Sequence, residues 1–312
     1  MRRTWRSLDL DGQVLLFDRT TGTNVLVEDA RTKSRRRVAP RTLQVSLTNA
    51  CDKACTFCYR PLDARSGFTF DSALALARFA DEWGVLELAF GGGEPTLFPR
   101  FGELLRTIWR DTGLACNFTT NGLRLRQSNL LTELDGAYGQ VQLSVYDEDE
   151  PLAAIDHLVA ARARFGLNYL VTPARVRSLE ADVFTFLDRG ARDVLFLSYK
   201  GPDPSLHLDE DGYRRLDDSL LKLHDLLGRQ LTLKVDVCWG PRLVKAPQLL
   251  QRSDCGAGDD FLSISSDQRV LACSFAGGGV PFDDVAQLPE LYRRARAARS
   301  AATLRGCTRG AP

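Results

Sequence analysis

The chain has 312 residues, of which 44% are apolar and 26% charged, enough to bury a large core around one α/β domain with or without a small appendage. Its 41 basic and 40 acidic side chains leave a net charge of +1, which excludes a general electrostatic pull toward nucleic acid or membrane. The N-terminus lacks a signal-peptide core and no run of about 18 apolar residues occurs, so a cytoplasmic protein without membrane contact is expected.

Residues 5–28 alternate weakly around Asp11-Gly12 and Thr21-Gly22, which read as hairpin turns between short strands. A basic stretch follows from Arg31 to Arg41, either a solvated linker or a docking strip for an acidic segment such as a leader peptide. From residue 42 short apolar runs alternate with amphipathic stretches. Strands are expected at 43–47, 85–90, 115–119, 141–145, 169–171 and 194–198. Helices are expected at 71–83, 100–110, 126–134, 151–164, 179–189 and 210–227. Strand–helix alternation of this kind implies a parallel sheet with right-handed crossovers. The fold class is therefore α/β: a partial (β/α)6 TIM-like barrel with chemistry at the C-terminal ends of its strands. Beyond 228 the rhythm breaks into a strand at 231–237, a hairpin around Ser266-Asp267 and a helix at about 289–300. The expected division is 1–41 for N-terminal strands and linker, 42–228 for the barrel, and 229–312 for a C-terminal extension.

Eight cysteines stand out in a chain expected to live in a reducing compartment. Cys51, Cys55 and Cys58 fall within eight residues, directly after the first barrel strand. Three thiolates hold three irons of a [4Fe–4S] cluster and leave the fourth iron open, as a catalytic metal requires. Structural zinc would want a fourth nearby ligand, and the sequence offers none close by. Gly92-Gly93-Glu94-Pro95 follows the second strand; glycines admit close backbone approach and a carboxylate there suits an ammonium. Thr119-Thr120-Asn121-Gly122 ends the third strand, although Asn-Gly is equally a turn signal.

Together these segments resemble the radical S-adenosylmethionine (SAM) superfamily. Cys51-x3-Cys55-x-Phe57-Cys58 is similar to its defining motif, Gly92 to Pro95 to its GGEP segment, and Thr119 to Gly122 to the TTNG of its peptide-modifying branch. The resemblance implies that SAM binds the open iron and is split by one electron to methionine and a 5′-deoxyadenosyl radical. It also implies an external electron donor such as flavodoxin or ferredoxin. Phe57 then flanks the adenine, while Gly92, Gly93, Glu94, Pro95, Thr120 and Asn121 border SAM. Ser144, Asn168 and Leu197, on the next three strands, stand where relatives contact ribose, carboxylate or adenine. Tyr146-Asp147 departs from the Asp-Gly that relatives often carry, which puts an acid or base role for that loop in doubt.

Cys238, Cys255, Cys273 and Cys307 supply four further thiols. Cys255-Gly256-Ala257-Gly258 followed by a hairpin ending at Cys273 resembles the start of a SPASM or Twitch extension. That resemblance implies one auxiliary [4Fe–4S] cluster, with zinc or plain core thiols as alternatives. Relatives usually place glycine where this chain has Gln268, and the CxxC of a full SPASM is missing at Gly310. Cys116 reads as a core thiol. His157, His207 and His224 show no ligand spacing. No catalytic acid, base or hydrogen donor can be named. TTNG and the extra cysteines favour maturation of a ribosomally made peptide, with a small-molecule oxidoreductase and a non-catalytic cluster or zinc protein as alternatives.

Overall fold

The computed structural model describes residues 5–60, 65–146, 150–247 and 255–301. Cys307 lies outside the described residues. An antiparallel sheet of β1 (Trp5–Asp9), β2 (Val14–Asp18) and β3 (Asn24–Val27) opens the chain. Its turns fall at the two expected glycines, Gly12 and Gly22, both with positive φ.

The main sheet has ten strands. Its parallel part runs through β4 (Thr42–Thr48), β5 (Glu87–Gly92), β6 (Ala115–Thr120), β7 (Val141–Val145), β8 (Phe165–Val171), β9 (Asp193–Ser198) and β10 (Thr232–Val235). Helices α1 (Phe70–Trp83), α2 (Phe101–Asp111), α3 (Leu123–Gln127), α4 (Leu130–Leu134), α5 (Glu150–Ala160), α6 (Leu179–Asp188) and α7 (Glu210–Leu227) lie between them. The expected helix at 126–134 is thus two short ones, divided at Ser128-Asn129. There the Ser128 hydroxyl turns back to the Arg124 carbonyl at 2.7 Å, competing with helix continuation.

On the far side of β4 the sheet continues through β11 (Phe261–Ile264), parallel to β4, then β12 (Arg269–Leu271) and β13 (Val280–Pro281), both antiparallel. The C-terminal extension therefore shares the barrel's own sheet. Helix α8 (Leu288–Ala301) closes the described chain. The strand order β10-β9-β8-β7-β6-β5-β4-β11-β12-β13 never returns to its start, so the sheet is open.

Alternation along the strands sets the core. Leu43, Val45, Leu88, Phe90, Phe118, Leu143, Tyr169 and Phe196 are fully buried. The intervening Gln44, Ser46, Asn117, Thr119, Gln142 and Ser144 occupy the opposite, half-buried face. No helix among the described residues is long and apolar enough to cross a membrane.

The N-terminal sheet docks at the end of the strands opposite the cysteine loop. Arg6 Nη1 donates to the Val85 carbonyl at 2.7 Å and pairs with Asp81 at 2.8 Å, while Arg19 Nη1 donates to the Thr112 carbonyl at 2.8 Å. Part of the basic stretch makes similar contacts, while Arg31, Lys33, Arg35 and Arg36 stay exposed. Arg35 meets Asp9 at 3.3 Å and Arg41 meets Glu87 at 3.2 Å. The Arg37 side chain is only 7% exposed, pairing with Asp260 and lying 3.8 Å from Asp259. Arg37 is therefore a structural tie to the C-terminal extension, not part of a docking strip. Replacing Arg37 with Ala takes the closest cation from the Asp260 carboxylate, while Asp259 keeps Arg296 at 2.6 Å, and should cost about 3 kcal/mol, read as a lowered urea midpoint. An unchanged midpoint would show the tie to be idle.

Candidate functional site

The three-cysteine segment has no regular structure of its own, so its shape is imposed from outside. Its first residues are zipped to the end of β5. Gly93 N–H donates to the Thr48 carbonyl and Glu94 N–H to the Ala50 carbonyl, each at 2.8 Å. This approach needs glycine at both preceding positions. A Cβ on Gly93 would lie 2.0 Å from the Ala50 carbonyl oxygen, and one on Gly92 would lie 2.4 Å from that of Thr48. Gly92 also has φ of +112°, a conformation strained for any side chain.

The far end of the segment is held by the C-terminal hairpin. Gly67 N–H donates to the Ser266 carbonyl at 2.6 Å, and the Ser266 hydroxyl donates to the Arg65 carbonyl at 3.1 Å. The Ser66 hydroxyl accepts from Asn49 N–H at 2.8 Å, tying the two ends of the loop together. Between these anchors Cys51 and Cys55 are half-buried and Cys58 is exposed, none of them in a disulfide. Lys53 N–H donates to Cys51 Sγ at 3.4 Å.

Glu94 is 1% exposed. Its Oε1 accepts from the Thr96 hydroxyl at 2.6 Å and from Thr96 N–H at 3.2 Å, and its Oε2 accepts from Asn121 N–H at 2.8 Å. Burial raises its pKa above the ordinary carboxylate value, and the hydrogen bonds from Thr96, Asn121 and Thr120 oppose that rise only in part. No cation pairs with it among the described residues. Asn121 binds both partners of the site: its Nδ2 donates to Asp52 Oδ1 at 2.6 Å, next to Cys51. The TTNG segment thus holds the cysteine loop and Glu94 in fixed relation, a positioning role that spacing alone did not reveal.

Ser144 and Asn168 are cross-strand partners on β7 and β8, and Leu197 pairs with Leu170 two residues nearer the strand ends. Asn168 is 9% exposed and its Oδ1 has no hydrogen-bond partner. A buried unsatisfied acceptor inside the barrel is costly unless a ligand donates to it. Phe57 packs edge-on against Tyr146 with ring centroids 4.8 Å apart, and Tyr146 in turn bonds Ser144. Burial pushes the Tyr146 phenol's pKa well up.

These features suit an iron–sulfur cluster with SAM. Three thiols outside any disulfide share one loop, and the buried Glu94 carboxylate has no cation beside it among the described residues. Asn168 leaves an acceptor for a ligand donor. No group of three His, Cys, Asp or Glu among the described residues gathers as around a single metal ion. A four-iron cluster binds one thiolate per iron and makes no such demand.

Cys238 follows β10 with its N–H donating to Asp236 Oδ1 at 2.7 Å. Cys255 and Cys273 flank the hairpin, whose strands are joined where Gly258 N–H meets the Ala272 carbonyl at 3.2 Å. Gln268 has φ of +60°, in the left-handed region that glycine adopts without strain; its Nε2 donates to the Gly67 carbonyl at 3.3 Å. Cys116 is fully buried with its thiol pushed up to about 12 by desolvation, which makes it a core thiol.

Residues 45–161 match the model of the Radical SAM superfamily. Over 129 residues the chain is 34% identical to the PqqA peptide cyclase of Gluconobacter oxydans, covering 40% of this chain and 36% of that protein. Over 96 residues it is 34% identical to the probable GTP 3′,8-cyclase of Methanocella arvoryzae, covering 28% of this chain and 31% of that one. SuiB of Streptococcus suis, solved with S-adenosylmethionine, superposes with a TM-score of 0.75 over 95% of this chain and 90% of its own, at 14% identity. The structure of anSMEcpe with AdoMet and the Cp18Cys peptide gives 0.61 over 86% and 88%, at 18% identity. These structural matches bear out the open α/β architecture.

The zipper at Gly93 makes a specific prediction. Gly93→Ala should push the cysteine loop off β5, so that anaerobic reconstitution yields a folded protein by circular dichroism with most of its loop-bound iron lost. Iron content equal to wild type would mean that the loop tolerates the added methyl.

Proposed function

We propose that the chain uses its radical SAM domain as a peptide-modifying enzyme. The observation that carries this reading is the shared anchoring, at one end of a parallel sheet, of three thiols outside any disulfide and a buried carboxylate with no cation beside it among the described residues. In this reading Cys51, Cys55 and Cys58 ligate a [4Fe–4S] cluster. Glu94 takes the SAM ammonium, with Gly92, Gly93 and Pro95 shaping the cradle around it. Thr120 and Asn121 hold Glu94 and the loop in register. Phe57 flanks the adenine, while Ser144, Asn168 and Leu197 line the remaining SAM site from the neighbouring strands. When bound, the cluster and SAM supply one-electron reductive cleavage and hydrogen-atom abstraction from substrate. The electron comes from outside the chain, from a donor of the flavodoxin or ferredoxin kind.

Residues 42–228 act as the SAM unit and 229–312 as an auxiliary unit in which Cys238, Cys255, Cys273 and Cys307 hold a second cluster. A peptide substrate is favoured by the names of the matched proteins, a PqqA peptide cyclase and anSMEcpe with its Cp18Cys peptide. The match to a GTP 3′,8-cyclase supports a second reading, in which the substrate is a small molecule. Precursor peptides and GTP, each tested for substrate-dependent 5′-deoxyadenosine formation, separate the two.

Replacing Cys51, Cys55 or Cys58 with Ala should abolish 5′-deoxyadenosine formation; activity in any of the three would refute the assignment. The Cys51/Cys55/Cys58→Ala triple variant should keep about four irons where wild type holds about eight. A triple variant without iron would leave the C-terminal cysteines as zinc ligands or core thiols.

Glu94 adds a pH dependence. Its carboxyl titrates above the ordinary value when unliganded, and a bound ammonium would lower it. SAM should therefore bind more tightly as pH rises through that titration and then level off. The Glu94→Gln variant should bind weakly at every pH, and a wild-type profile in that variant would remove Glu94 from the site.

A further inference from the structure

A cavity of about 370 Å³ lies beside the cysteine loop, between the loop following β9 and the β11–β12 hairpin. Cys58 borders it, so whatever enters lies next to the proposed cluster. Among the described residues no carboxylate lines it, whereas Lys200 and Arg60 do, together with the hydroxyls of Ser263 and Ser274. We propose that this cavity is a substrate subsite for a carboxylate, with Lys200 and Arg60 as its cationic contacts. The proposal rests on the reading of the cysteine loop as the reactive centre.

Both cations are held by neutral groups. The Lys200 side chain is 7% exposed and its ammonium donates to the Ser198 hydroxyl. That hydroxyl passes its own hydrogen to Asp236 Oδ2 at 2.8 Å, and Ser198 N–H donates to the same oxygen at 2.7 Å. Asp236 stays 3.9 Å from Lys200 Nζ, near enough for attraction but beyond a hydrogen bond. An ammonium has three donors, so two remain for a ligand. Arg60 Nη1 donates to the backbone carbonyl and side-chain oxygen of Asn49, again uncharged acceptors. Its remaining N–H groups form a fork suited to a carboxylate.

Asp236, one hydroxyl removed at 3.9 Å, offsets the buried Lys200 charge only in part, and Arg60 adds a second cation, so the site favours an anionic guest over its neutral isostere. Ser263 and Ser274 are 3.0 Å apart and share the Gln44 carbonyl oxygen, giving a polar floor without charge. For a peptide, the carboxylate is either an Asp or Glu side chain or the free C-terminus.

Fluorescein-labelled Ala-Ala-Glu-Ala-Ala amide, its Gln counterpart amide and the Gln counterpart with a free C-terminus test this directly. Anisotropy is read on reconstituted full-length protein with SAM. At least one carboxylate-bearing peptide should bind about tenfold more tightly than the neutral amide. The one that does identifies the source of the carboxylate. Lys200→Met should erase the difference, and Lys200→Arg, which keeps the charge, should restore most of it. Equal binding of all the peptides, or discrimination that survives in Lys200→Met, would overturn the proposal. A several-fold loss of SAM affinity in Lys200→Met would assign the cation to SAM's own carboxylate and overturn it as well. Failure of the underlying reading shows separately, as wild-type protein that forms no 5′-deoxyadenosine from SAM under reduction.

Discussion

The site depends on one close approach, that of the end of β5 to the residues leading into the cysteine loop. Two backbone hydrogen bonds hold Gly93 and Glu94 to Thr48 and Ala50, and the loop has no regular structure to shape it otherwise. The approach exists because position 93 carries no Cβ, and a methyl there would overlap the Ala50 backbone. Bonds of this kind contribute roughly 1 kcal/mol each, yet their effect is positional. They set where Cys51 emerges relative to Glu94, the only geometric relation that a ligand bridging the two could use.

The C-terminal hairpin completes what the zipper begins. By adding β11 parallel to β4, the chain places the Ser266–Gln268 turn against residues 65–67 at the far end of the loop. The hairpin also walls one side of the cavity whose other side comes from the loop after β9. Strands distant in the sheet order therefore face each other across the site, which is how an open sheet encloses a ligand space. Gln268 in the left-handed region carries some backbone strain, offset by its bond to Gly67.

Much of this was legible in the sequence because its signals are local. Strand alternation, the turns at Gly12 and Gly22 and the order of the motifs depend on neighbours a few residues apart, and the structure follows them closely. What escaped notice depends on pairs distant along the chain. Asn121 read as a turn residue or a SAM contact, yet its side chain reaches Asp52, 69 positions away. Arg37 read as one of several surface charges, yet its partner Asp260 lies 223 positions on. Lys200 carried no motif at all. Its meaning comes from Ser198 and Asp236, which β9 and β10 bring together by parallel pairing. Helix 126–134 failed for a local reason, the competing Ser128 hydroxyl.

The charge arrangement around the cysteine loop has a direction. On the β5–β6 side stands Glu94, a buried carboxylate with no cation beside it among the described residues. On the side of the β9 loop and the hairpin stand Arg60, bonded to the neutral oxygens of Asn49, and Lys200, bonded to the Ser198 hydroxyl with Asp236 3.9 Å away. Glu94 and Lys200 are each desolvated enough to prefer a close partner, and no ion pair joins Glu94 to Lys200 or Arg60 among the described residues. In the proposed reading a positively charged cofactor group and a negatively charged substrate group would be drawn to opposite flanks of the same three thiols, and exchanging the two would place like charges together at both ends. The fold obtains this polarity by carrying Glu94 just past β5, Lys200 just past β9 and Arg60 on the cysteine loop itself.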